Sequence, residues 1–73
     1  MSLVVQQKIL ILEAVKSEAP GRDDLVLKAF NSEITGEDLV ELCNIISNHF
    51  HYESIRRGLK LEEVLAAVYS LGA

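Results

Sequence analysis

Residues 3–18 read LVVQQKILILEAVKSE, and this stretch carries apolar side chains on two sides of a helix. At 100° per residue, one broad face collects six residues that we expect to lie in a core. They are Leu3, Val4, Leu10, Ile11, Ala14 and Val15. Val5, Ile9 and Leu12 form a second face with the spacing i, i+4, i+7. A surface helix of a small domain needs one apolar stripe, so the second stripe indicates association with a second copy or with a partner helix.

The chain is short and rich in aliphatic residues. Leu, Ile and Val make up 24 of its 73 residues, which is too many for a disordered chain and predicts one folded domain over residues 1–73. A domain of this size buries only about 60% of the surface that its unfolded chain exposes. Small domains therefore often rely on a disulfide, a metal or a second subunit. Cys43 is the single cysteine and zinc ligands are few, so a second subunit, as in a homodimer, is the expected source of extra stability.

Composition also limits location and partners. Apolar runs such as Ile9–Leu12 are far shorter than the ~18 residues of a membrane span, and no signal-peptide pattern opens the chain. A lone cysteine fits a reducing compartment, so we expect a cytoplasmic protein without a membrane partner. The net charge of −4 disfavours nonspecific binding to nucleic acid or to anionic lipid.

The remainder of the chain predicts three further helices. Pro20-Gly21 ends the first helix, and a short helix follows over about Asp23–Asn31. Its apolar side consists of Leu25, Val26, Ala29 and Phe30. Thr35 is the N-cap candidate of the third helix, and Asp38 has the spacing of a capping-box acid. The core stripe of this helix is Leu39, Leu42, Cys43, Ile46 and Phe50.

We expect the third helix to break near Asn48–His51, because Glu53 would otherwise point at the core. A short helical segment, Tyr52–Arg57, then follows, with Gly58 in the left-handed position after it. The last helix covers Leu61–Leu71 and ends at Gly72. Its stripe is Leu61, Val64, Leu65, Val68 and Leu71. The predicted fold is all-α, a compact bundle of four main helices with one short extra helical segment.

Charged residues are unevenly distributed after the second helix. Four acids lie together without a base among them: Glu33, Glu37, Asp38 and Glu41. A basic group follows: His49, His51, Arg56, Arg57 and Lys60. These groups are either two solvated patches or a polar recognition surface. Of the basic group, His51, Arg56, Arg57 and Lys60 are the candidates for a secondary polar surface.

No arrangement of residues predicts catalysis. Cys43 with His49, His51 and Glu53 could form a metal cluster or a Cys–His pair, but Cys43 lies within an apolar stripe, where a thiol behaves as a small hydrophobe. Three acid pairs occur at predicted helix starts, where the helix dipole accounts for them. They are Asp23-Asp24, Glu37-Asp38 and Glu62-Glu63. We therefore expect a protein that is not an enzyme, without a cofactor or metal.

The order of elements from Thr35 to Leu71 resembles the later part of a Cro- or repressor-type helix-turn-helix domain. The resemblance rests on a Thr-capped helix, a break, a short helix that ends in Arg56-Arg57-Gly58, and a further amphipathic helix. It implies a DNA-binding transcriptional regulator whose recognition positions are His49, Phe50, His51 and Tyr52. The chain departs from the pattern because Val40 and Asn44 replace the favoured small residue and turn glycine. The candidate recognition side chains are also aromatic, and not the Gln, Ser, Asn and Arg that read base edges.

The sequence favours a non-catalytic protein-interaction module, such as an adaptor, a regulatory, immunity or inhibitor protein, or a chaperone-like subunit. Its predicted interface consists of Val5, Ile9 and Leu12, which bind a second copy or a partner protein. The helix-turn-helix regulator is the alternative.

Overall fold

A computed structural model of the chain describes residues 3–53 and 58–72, without the side chain of Glu53. Within these ranges all regular secondary structure is helical. The helices are α1 (Val5–Glu18), α2 (Asp23–Phe30), α3 (Gly36–Glu53) and α4 (Leu61–Leu71). The predicted all-α class and its four main helices are confirmed. Most of the predicted extra segment, Tyr52–Arg57, lies outside the described residues, and its first two residues belong to α3.

Helix α1 packs against both α2 and α3, and α4 packs against α3. The inner face of α1 consists of Leu10, Ile11, Ala14 and Val15, all completely buried. Buried apolar side chains from the four helices form one cluster with them. The inner face of α1 follows the helical spacing predicted from the sequence.

The start of α1 differs from the prediction at Val4, which is exposed and does not belong to the core. The helix begins at Val5, and Val4 is the N-cap residue with extended backbone angles, φ −82° and ψ 165°. Its backbone N–H donates a hydrogen bond to Oε1 of Gln7 at 3.0 Å. Helical periodicity does not apply to a residue outside the helix, so the predicted core position was wrong.

The predicted break near Asn48–His51 is also wrong, because α3 continues without interruption to Glu53. Its buried face is broader than the predicted stripe, since Ile45 and His49 are buried beside it. Burial ends around Phe50, and the last turn carries the exposed His51 and Tyr52. The helix therefore continues past the end of its buried face, through His51 and Tyr52.

Two glycines match the predicted helix ends for different reasons. Gly58 has a φ of +70°, the left-handed conformation expected there. Gly72 follows α4, and its φ of −93° is open to any residue. A Cβ at Gly72 would lie 2.8 Å from Cδ2 of Leu39 and 3.0 Å from the carbonyl oxygen of Ile34. The end of α4 thus approaches the start of α3 too closely for a larger residue.

Candidate interaction surface

The second apolar face of α1 lies at the protein surface, as the sequence predicted. Val5 is 68% exposed, Ile9 40% and Leu12 47%, whereas the inner face of the same helix is completely buried. We call these three residues the α1 stripe. They form a row of large aliphatic side chains on a helix that the core already holds in place.

The α1 stripe borders a groove of about 520 Å³ between α1 and α2. Ile9, Leu12 and Val26 supply its apolar lining. Glu13, Lys16 and Asp23 add charged side chains. This lining suits an apolar side chain or the edge of a helix with polar groups beside it.

Lys8 marks the edge of the stripe that faces α2. Its ammonium group lies 5.7 Å from the centre of the Phe30 ring, within the range of a cation–π contact. The lysine is the charged residue next to Ile9, so it limits the apolar surface on that side.

The second predicted surface is only partly described. His51 and Lys60 are exposed, and Arg56 and Arg57 lie outside the described residues. His49, which the sequence grouped with them, is buried at 6% exposure and faces α1. The structure therefore does not bring His49 into a basic surface.

The His49 ring occupies an unusual position between α1 and α3. Within the described part of the chain, neither ring nitrogen has a hydrogen-bond partner, and Nδ1 lies 3.8 Å from Oε2 of Glu18. An open surface pocket of about 310 Å³ is lined by His49 together with Glu13, Lys16 and Ser17. Sequence reasoning missed this site because it placed the end of the helix here.

The acidic residues of α3 form ion pairs with two basic residues from an earlier part of the chain, Arg22 and Lys28. Arg22 donates to Oδ1 of Asp38 at 3.1 Å and also to Glu41. Lys28 donates to Oδ2 of Asp38 at 2.6 Å. Both oxygens of Asp38 thus accept hydrogen bonds from basic side chains, one from Lys28 of α2 and one from Arg22, the N-cap residue of α2. No local signal could have revealed pairs that join residues 10 to 19 positions apart.

These contacts change the titration of the charged groups. The hydrogen bond from Lys28 is the main cause that holds the pKa of Asp38 below its ordinary value of 3.8. The Arg22 guanidinium lowers the pKa of Asp24 in the same way, and its Nε donates to Asp24 at 3.1 Å. The pKa of Lys28 is raised, chiefly by Asp38. These five side chains form a cluster of ion pairs that joins α2 to α3: Arg22, Asp24, Lys28, Asp38 and Glu41.

Cys43 lies in the core and is not set up as a nucleophile. Burial raises the pKa of its thiol above the ordinary value of 9.0, while a hydrogen bond with Tyr69 has the opposite effect. Nucleophilic cysteines are accessible and have a lowered pKa. Among the described residues, no group of three or more His, Cys, Asp and Glu side chains is placed to hold a metal ion.

No protein-family model, curated protein or solved structure matches the chain. In the described ranges, every helix is too short or too polar to cross a membrane.

Proposed function

We propose that the protein is a non-catalytic protein-interaction module that associates through the α1 stripe, most simply as a homodimer. Val5, Ile9 and Leu12 are exposed in one row, and this exposure is the main support for the proposal. Removing apolar surface from water contributes roughly 25 cal/mol per Å², so covering the row in a complex is favourable. Isolated apolar residues are common on protein surfaces, but a row of them beside a groove with a partly apolar lining is typical of a contact site.

The setting of the stripe supports a binding role. The core fixes the inner face of α1, so the outer face is ordered before any partner arrives and little conformational entropy is lost on binding. The free, buried cysteine is compatible with a reducing compartment, and we place the protein in the cytoplasm on that basis.

The test compares a stripe variant with a matched surface variant. Light scattering after size exclusion at micromolar concentration should give twice the chain mass for the native protein. Ile9→Glu should give the mass of one chain with unchanged helical circular dichroism, because it places a charge in the apolar contact. Leu27→Glu is the control, since Leu27 is 64% exposed on α2 and lies outside the groove lining.

A core variant checks the division of α1 into two faces. Ile11→Glu should unfold the protein, because Ile11 is completely buried. If Ile9→Glu and Ile11→Glu behave alike, or if Ile9→Glu remains a dimer, the α1 stripe is not the contact.

The DNA-binding alternative has less support. The turn that the helix-turn-helix resemblance needs near Asn48–His51 is occupied by continuous α3. We expect no detectable affinity for duplex DNA at physiological salt. Binding with a steep salt dependence that Arg56→Ala and Arg57→Ala reduce would favour the regulator instead.

A further inference from the structure

The α1 stripe is part of a regular repeat of positions along α1, and this repeat indicates how a partner helix would pack on the stripe. Its members lie at positions 5, 9 and 12, and Lys16 follows at the next step, so the intervals are four, three and four. This 3.5-residue repeat is that of the a and d positions of a coiled coil. Ile9 and Lys16 take the a positions, and Val5 and Leu12 the d positions.

The residue types at the a and d positions indicate the number of helices in the coiled coil, which the field calls its strands. Isoleucine at a with leucine at d favours two strands in parallel coiled coils. A single lysine at an a position fixes register and oligomeric state at some cost in stability. Lys16 and Leu12 both line the groove between α1 and α2, as neighbouring a and d residues on one side of a helix should.

The charged residues beside the stripe indicate the direction of the partner. Lys8 precedes Ile9 and takes position g, while Glu13 follows Leu12 and takes position e. In a parallel pair, a g residue lies beside the e residue five positions later on the other helix. Lys8 and Glu13 are five residues apart and opposite in charge, so each copy would supply both halves of the contact. In an antiparallel pair, g faces g and e faces e, and these two residues do not meet.

We propose that the α1 stripe pairs with the α1 stripe of a second copy, parallel and in register, with Lys8 of each copy bonded to Glu13 of the other. This inference rests on the proposed function and adds the identity and direction of the partner. Two heptads alone are too short for a stable coiled coil. Here, however, the core already holds α1 helical, so the dimer does not bear the cost of helix nucleation.

Disulfide trapping tests the direction. Val5→Cys is made in a Cys43→Ala background, and the folded protein is oxidised in a glutathione buffer. In a parallel pair, the two copies of position 5 are adjacent and form a covalent dimer. In an antiparallel pair with Ile9 opposite Leu12, they are separated by 11 residues of rise, about 16 Å, and cannot bond. Leu27→Cys in the same background is the control for random collision.

Two outcomes of this experiment are decisive. A covalent dimer of Val5→Cys, formed faster than that of Leu27→Cys, supports the proposal. A covalent dimer that forms only when Val5→Cys is mixed with Lys16→Cys overturns it in favour of an antiparallel pair. The proposed function survives that result, since the α1 stripe remains the contact.

Charge reversal provides a test without cysteine chemistry. Lys8→Glu and Glu13→Lys should each raise the dimer dissociation constant by about tenfold, since each dimer contains two such pairs and each reversal creates repulsion. Mixing the two single variants should restore association as a heterodimer, and the double variant should dimerise like the native chain. If the mixture associates no better than either variant alone, the parallel register is wrong.

A monomeric native chain at all accessible concentrations also overturns the inference. A foreign protein partner for the stripe would then be the remaining form of the proposed function. If Ile9→Glu leaves dimerisation unaffected, both the proposed function and the parallel pairing of α1 stripes are wrong.

Discussion

At the scale of single residues, His49 is the least expected feature of the core. A buried polar group without a hydrogen-bond partner costs roughly 1–3 kcal/mol. The imidazole is 6% exposed, and both of its nitrogens lack a partner within the described residues. Oε2 of Glu18 is 3.8 Å from Nδ1, beyond the range of a good hydrogen bond. An imidazole that is unpaired in this position would reduce the stability of the isolated chain.

This view predicts that His49→Leu stabilises the protein. An apolar side chain of similar size would keep the packing between α1 and α3 and remove the unpaired nitrogens. We expect the melting temperature to rise by a few degrees in thermal unfolding followed by circular dichroism. His51→Leu, two residues later and exposed, is the control and should change it little. A lower melting temperature for His49→Leu would mean that the contact with Glu18 stabilises the fold.

At the scale of elements, the ion pairs between α2 and α3 are the main polar connection described. Arg22 lies at the N-cap of α2 and reaches Asp38 and Glu41, while Lys28 reaches Asp24 and Asp38. Each of these groups is partly exposed, so water and salt weaken the individual contacts. Because the cluster contains several ion pairs that share partners, it contributes more to the stability of the fold than one exposed pair would.

The lowered pKa values of Asp24 and Asp38 predict a loss of stability in acid. A carboxyl with a folded-state pKa below its unfolded value of about 3.8 contributes stability above that pH. The contribution disappears as the pH falls through the lower, folded-state pKa. We therefore expect the melting temperature to fall as the pH drops below about 4.

Asp38→Asn provides the matching variant. It should melt below the native protein at pH 7, and the difference should shrink toward pH 2, where the native carboxyl is also protonated. Glu33→Gln removes an exposed acid outside the cluster and serves as the control. A difference between Asp38→Asn and the native protein that stays constant across this pH range would show that the Asp38 charge is not responsible.

The elements also show which parts of the fold a sequence can predict. Periodicity predicted both faces of α1, because local spacing alone determines which side chains share a helix face. It misplaced Val4, since the same spacing does not show where the helix begins. It also broke α3, because it extended the core face of the helix as far as Glu53, whereas burial ends around Phe50 and local spacing does not show where burial ends. The pairing of Arg22 with Asp38 and Glu41 likewise arises only after α2 and α3 have packed.

At the scale of the whole molecule, stability and association should be linked. If the folded chain dimerises through the α1 stripe, the native state is favoured at higher protein concentration by mass action. We expect the melting temperature to rise by several degrees as the chain concentration increases from about 1 to 100 μM. Ile9→Glu should melt at one temperature across this range. A native protein whose melting temperature is independent of concentration would contradict self-association.

The burial of Cys43 has a practical consequence for measuring these equilibria. The chain has one thiol, and it is 5% exposed in the core. An alkylating reagent can therefore modify it only in molecules that have opened around α3. When reclosing is faster than alkylation, the rate relative to the unfolded chain gives the fraction of open molecules directly. The Cys43 thiol of the native protein thus reports rare opening of the fold. Slower alkylation at higher protein concentration would show dimer formation without any added label.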